Sequence, residues 1–154
     1  MGPASLVGKT IQGICLFRGS VHPAWVDENT LPIAAWSVFI DVQNEGLFKV
    51  SATEVDFGPS RFRGLGLSFE ACSESDLEMK GVQAQWKAEP LVEAEDLLPL
   101  EVRFVEETDP MGEDTVSQYL IVGTQGQQLI LRHIMPPTTL GISILHPNSP
   151  TVDA

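Results

Sequence analysis

Alternation of apolar and polar residues with a period of two recurs along the chain and constrains its fold more than any other feature. It is typical of antiparallel strands that have one buried and one solvated face. The two clearest runs are Trp36, Val38, Ile40 and Val42, and Val82, Ala84, Trp86 and Ala88. Windows with helical spacing are few, and glycine and proline interrupt most of them. We therefore expect strands in which Trp36 and Trp86 point toward the core.

Turn signals pair these strands into hairpins. Asn44-Glu45-Gly46 separates the first run from a second strand, and Gly123 to Gly126 separates two later apolar segments. Glycine in such a loop adopts the left-handed conformation that a short hairpin needs. The pattern thus predicts hairpins over residues 36–52 and 119–134. After Ala52 the apolar residues change from even to odd positions. This change predicts one extra residue, a bulge, near Thr53 and Glu54.

Two segments fit neither period. Residues 73–79 are polar and predict a loop or one helical turn capped by Ser73 or Ser75. Residues 90–99 are ambiguous, and after them Leu100, Val102 and Phe104 fall on one face of a strand.

With about eight strands and frequent turns, the sequence predicts an all-β antiparallel sandwich or barrel, with at most one short helix in 73–80 or 91–98. A mixed α+β fold is the alternative.

The length of 154 residues favours a single domain over 1–154, with loose termini at residues 1–5 and 147–154. The first residues lack the basic and apolar regions of a signal peptide, and no apolar run reaches the length that spans a bilayer. We therefore expect a cytoplasmic protein. Cys15 and Cys72 form no CxxC pair, and the sequence leaves open whether they pair with each other.

Charge limits the partners that the protein can bind. Twenty-one acidic residues and nine basic ones give a formal net charge of −12. Because such a field repels phosphate backbones and anionic lipid, we expect no nucleic-acid and no membrane binding. A basic protein partner is electrostatically favoured, and the alternative interpretation is that the charge only maintains solubility.

No motif predicts a catalytic, cofactor or metal site. Gly8-Lys9-Thr10 resembles the end of a phosphate-binding loop, but the required glycine five positions earlier is absent and a strand follows. His22, His133 and His146 lack the spacing of zinc ligands. For His133 we expect a residue at the end of a strand that hydrogen-bonds to the backbone. We therefore predict no cofactor, and we favour a protein that is not an enzyme.

The acidic residues are concentrated in one segment. Residues 89–114 contain ten acidic side chains and one basic side chain, Arg103. One hypothesis is that this segment docks a basic partner, whose capture it accelerates. The other is that charge protects a sheet edge from strand addition. The residues predicted to contact the partner are Glu101, Glu106, Glu107, Asp109, Glu113 and Asp114.

Three functions follow as hypotheses. The leading one is a non-enzymatic acidic interaction protein, such as an inhibitor or immunity-type protein that binds a basic partner. The second is a small-ligand binder or enzyme built on a β-barrel, with Trp36, Trp86, Tyr119 and the small residues of strand 62–72 at its cavity. The third is a structural subunit of a larger assembly, which includes a homo-oligomer.

Overall fold

The computed structural model describes residues 2–55, 64–80 and 85–147. Within them the protein is all-β, as predicted. Its strands in chain order are β1 (Thr10–Gly19), β2 (Ile33–Val42), β3 (Gly46–Val55), β4 (Gly64–Cys72), β5 (Glu78–Lys80), β6 (Gln85–Lys87), β7 (Glu89–Pro90), β8 (Leu100–Thr108), β9 (Gln118–Gly123), β10 (Gln128–Ile134) and β11 (Thr139–Leu145).

Six of these strands close into an antiparallel barrel in the order β1-β2-β11-β10-β9-β8, with β8 returning to β1. Strands β3 and β4 extend from β2 as a wing, β7 adds to the edge of β1, and β5 and β6 form a separate hairpin. The antiparallel pairings of β2 with β3 and of β9 with β10 confirm the two predicted hairpins.

The helical segments of the described residues are all short 3₁₀ turns: Pro3–Leu6, Pro23–Trp25, Glu74–Leu77 and Val92–Leu97. Two of them fall in the segments that the sequence left ambiguous. The turn at Glu74–Leu77 begins after Ser73, whose backbone N–H donates to the Asp76 carboxylate at 2.9 Å. The first turn buries Pro3 and Leu6.

The core fills the barrel and the space under the wing. Leu16 of β1 and Val38, Ile40 and Val42 of β2 belong to this core. Phe48, Val50 and Ala52 of β3 are buried with them. Tyr119 is also buried, at 3% exposed, and burial together with the nearby Glu107 carboxylate raises its pKa to about 12. Tyr119 is thus a core residue.

A bulge in β2 interrupts the predicted alternation. Phe17 pairs with Ser37 and Arg18 pairs with Ala35, so Trp36 is an extra residue opposite β1. At the same point the other edge of β2 changes partner: Ala35 pairs with β11, whereas Ser37 pairs with β3. The barrel and the wing therefore separate at Trp36. The prediction that Trp36 faces the core is wrong, because the bulge turns its side chain outward.

Two other register predictions are also wrong. A bulge at Arg103 shifts β8 relative to β9, and it leaves Phe104 41% exposed although Leu100 and Val102 are buried. The bulge predicted near Thr53 and Glu54 is absent from the described pairing, since β3 and β4 pair without interruption from Leu47 to Val55. Phe57, one of the residues on which that prediction was based, lies outside the described residues.

A buried histidine joins the wing to the barrel. The Nε2 atom of His133 accepts a hydrogen bond from the backbone N–H of Thr138 at 2.9 Å. Because Nε2 is an acceptor, Nδ1 carries the proton and donates to the Gly66 carbonyl on β4 at 2.8 Å. This confirms the backbone-bonded role predicted for His133. Burial lowers its pKa, and the imidazole is neutral in the folded protein.

This neutral imidazole predicts a loss of stability in mild acid. The unfolded chain takes up a proton near pH 6.5, whereas the folded protein resists protonation until its lower pKa is reached. The contribution of His133 is therefore complete above about pH 6.5 and declines as pH falls through the folded-state pKa. In urea unfolding, His133→Gln should be less stable than wild type at pH 7.5, with a smaller difference at pH 5. An unchanged difference would contradict this assignment.

Candidate functional site

A cleft on the outside of the barrel contains two of the three tryptophans. It has a volume of about 210 Å³ and is lined by Leu16, Phe17, Arg18, Trp36, Trp86, Lys87 and Glu89. Trp36 is 54% exposed and Trp86 is 47% exposed. Side chains of this size rarely leave so much apolar surface in water, and two of them on one cleft indicate a binding surface.

The bulge in β2 places the first tryptophan. Trp36 is turned out of the barrel and lies beside Gly19 on β1. A β-carbon at Gly19 would sit 3.3 Å from the indole Nε1 of Trp36. Glycine at this position therefore allows the indole to lie close to the backbone of β1. The bulge thus turns Trp36 outward, and Gly19 leaves room for its indole beside β1.

The β5–β6 hairpin places the second tryptophan. Trp86 pairs with Met79 in this small sheet, which is separate from the barrel. The sequence predicted Trp86 in the core because its run alternates cleanly. That prediction is wrong, since a three-residue strand outside the barrel has no interior to face. Val82 and Ala84, which belong to the same predicted face, lie outside the described residues.

Arg18, which lines the same cleft as the two tryptophans, is held by two glutamates. Its Nε donates to Glu89 at 2.8 Å, and its two terminal nitrogens donate to the two oxygens of Glu93 at 2.9 and 2.8 Å. Hydrogen bonding to Arg18 lowers the pKa of Glu93. Both ion pairs are accessible to solvent, so they contribute little to folding stability. Their effect is to hold a planar cation in the cleft wall.

The structure divides the six acidic residues that the sequence predicted as a docking face. Glu101, Glu106 and Glu107 are exposed on β8. Asp109 instead holds a turn, because its carboxylate accepts the backbone N–H groups of Glu113 and Asp114 at 3.1 and 3.0 Å.

Glu113 has a structural contact of its own. Its Oε2 accepts the backbone N–H of Leu65 on β4 at 2.8 Å. Asp114 has a left-handed backbone, with φ of 59°, inside the same turn. The 109–114 segment therefore connects the wing to the barrel as well as carrying charge, and its acidic groups are not equivalent to those on β8.

The edge-protection hypothesis also has a structural counterpart. One edge of β8 pairs with β9, and the other pairs with β1 at Leu100 and Glu101. Along residues 103–107 of that second edge, no strand pairs in the described part of the chain. This stretch carries Arg103, Glu106 and Glu107. Charged side chains on such an edge oppose the addition of another strand.

The other sequence motifs have ordinary structural roles. Lys9 of the Gly-Lys-Thr tripeptide pairs with Glu45 at 2.6 Å, and Thr10 begins β1. The ring of His22 accepts the backbone N–H of Ala24. Cys15 and Cys72 are free thiols. Among the described residues, no group of three or more acidic, histidine or cysteine side chains is placed to hold a metal ion.

Comparisons with protein-family models, curated proteins and solved structures found no match. In the described ranges, no helix has the length and apolar character needed to cross a membrane. Functional inference therefore rests on the geometry of this chain. The sequence grouped Trp36 and Trp86 only as residues lining a cavity inside a β-barrel. Their outer cleft could not be predicted, because neither the bulge nor the isolated hairpin leaves a recognisable signal in the pattern.

The contrast between acidic residues predicts different effects on stability. Asp109→Ala should lower the free energy of unfolding by roughly 1–3 kcal/mol, because two backbone N–H groups lose a charged acceptor. Glu106→Ala, on the open edge of β8, should change it by less than about 0.5 kcal/mol. Denaturant unfolding at neutral pH measures both. A loss for Asp109→Ala as small as that for Glu106→Ala would show that the turn contacts are unimportant.

Proposed function

We propose that the protein is a binding protein that captures a basic protein segment at the cleft between Trp36 and Trp86. The observation that carries the proposal is the exposure of two tryptophans on one cleft that Arg18 also lines. Tryptophan and arginine are enriched among the residues that dominate binding energy in protein interfaces. The cleft has the composition of an interface centre.

Fixed geometry favours affinity at this position. Arg18 is held by three hydrogen bonds, and the indole of Trp36 lies beside the backbone of Gly19. Binding therefore orders few additional side chains. Since each ordered flexible side chain costs about 0.5–1.5 kcal/mol, a rigid surface retains more of its contact energy.

The indoles of the cleft offer a contact for a cationic side chain of the partner, although Arg18 and Lys87 place two of the protein's own cations in the lining. A lysine or arginine can lie on an indole face through a cation–π interaction. Glu89 can then accept from it, because an exposed Arg18–Glu89 pair is worth at most about 1 kcal/mol and is easily exchanged. Glu93, which binds Arg18 through both oxygens, keeps the guanidinium in position during that exchange.

The charge around the cleft favours a basic partner. Strands β7 and β8 both pair along one edge of β1, so residues 89–101 follow that edge. The acidic side chains of this segment, Glu89, Glu93, Glu95, Asp96 and Glu101, are all exposed. Such a field raises the association rate of a positively charged molecule and is weakened by salt. This retains the leading hypothesis from the sequence but moves its centre from residues 101–114 to the cleft.

A defined peptide tests the proposal. A hexa-arginine peptide titrated calorimetrically into the full chain at low salt should bind, and hexa-glutamate should not. Trp36→Ala and Trp86→Ala should each weaken binding roughly 3- to 30-fold, the range expected for loss of a cation–π contact. Glu89→Gln should weaken it too, and added salt should lower the affinity of all variants.

Trp25 provides a matched control. It is 46% exposed, close to the value for the cleft tryptophans, but it lies in the Pro23–Trp25 turn and does not line the cleft. Trp25→Ala should bind the peptide as wild type does. If all three tryptophan variants bind equally well, the peptide is held by general surface charge and the cleft is not the binding site.

A further inference from the structure

A second cavity lies on the outer face of the sheet, separated from the tryptophan cleft by the edge-to-face contact of Phe17 with Phe39. It has a volume of about 390 Å³ and is lined by Gly13, Cys15, Phe39, Asp41, Gly46, Leu47, Cys72, Ser73, Glu74 and Leu77. This volume lies within the range of small-molecule sites, about 300–1,000 Å³. None of the residues that line the tryptophan cleft lines this cavity.

The strand register explains the open space. Gly13, Asp41, Leu47 and Cys72 are consecutive partners across β1, β2, β3 and β4, so they form one row over four strands. Gly13 adds no side chain to this row, and Cys15, two residues along β1, is small. The Glu74–Leu77 turn forms a wall above the row.

The lining combines an apolar surface with negative charge. Leu47, Leu77 and the two thiols provide apolar walls. Burial raises the pKa of both Cys15 and Cys72, which keeps the thiols neutral near pH 7. Asp41 and Glu74 provide carboxylates, and none of the residues that line the cavity is cationic.

The Asp41 carboxylate has a defined position. Its Oδ2 accepts a hydrogen bond from the side-chain amide of Gln12 at 3.1 Å. Asp41 is also close enough to Cys15 to affect its pKa electrostatically. The carboxylate thus lies beside the apolar wall, as an anchor for the polar end of an amphiphilic ligand.

We propose that this cavity binds a small organic cation, an amine with a short apolar body. The ammonium group pairs with Asp41 and Glu74, and the apolar body lies against Leu47, Leu77 and the two thiols. Charge complementarity selects the cation over a neutral or anionic molecule of the same size. The cavity is independent of the protein-binding cleft, and either site can exist without the other.

Hexylamine, hexanol and hexanoate test this selection because they share one apolar chain. Titration of the full chain with hexylamine should shift the methyl NMR signals of Leu47 and Leu77 in a saturable way. Hexanol and hexanoate should bind at least tenfold more weakly, since they lack the charge-assisted hydrogen bond. Equal binding of hexanol would overturn the proposed role of the carboxylates.

Variants distinguish the cavity from general attraction by an acidic protein. Asp41→Asn should weaken hexylamine binding about tenfold, because the amide retains an acceptor for Gln12 but not the charge. Cys72→Phe should fill the space and abolish the methyl shifts. Glu28→Gln removes one exposed charge outside the cavity and should leave binding unchanged. If Glu28→Gln weakens binding as much as Asp41→Asn does, or if Cys72→Phe binds normally, the proposal fails.

Discussion

The bulge at Trp36 is the constraint on which the rest of the structure depends. A strand has two edges, and β2 must pair with three strands: β1 on one edge, and β11 and then β3 on the other. The extra residue marks the change of partner, where the closed barrel gives way to the wing. Bulges bend a strand and redirect a side chain, and here both effects occur together. The exposed indole is thus a consequence of barrel closure.

The two sides of β2 then acquire different functions. Its inward face, with Val38, Ile40 and Val42, belongs to the core, and the stability of the barrel depends on it. Its outer face borders the tryptophan cleft at Trp36 and the second cavity at Asp41. The Ser73–Ala88 segment contributes Leu77 to the cavity and Trp86 to the cleft. Both proposed sites are therefore built where this segment meets the outside of the barrel.

The sequence predicted the fold class because alternation and turn residues act locally. Both hairpins, the Ser73 cap and the backbone-bonded His133 follow from such local signals. The positions of Trp36, Trp86 and Phe104 did not, because a bulge or an isolated hairpin reverses which face is buried without altering the local pattern. Glu113 looks like a solvated acid in the sequence, and only the fold brings the backbone N–H of Leu65 on β4 to it.

The solvent accessibility of Trp36 tests the central claim most directly. In the Trp25→Phe, Trp86→Phe protein, Trp36 is the only source of tryptophan fluorescence. If the bulge turns Trp36 outward, acrylamide should quench its emission efficiently in the folded protein, and the emission maximum should lie near that of a solvated indole. A blue-shifted emission that resists quenching until the protein unfolds would show that Trp36 faces the core. In that case β2 would alternate without a bulge, and the cleft would not exist.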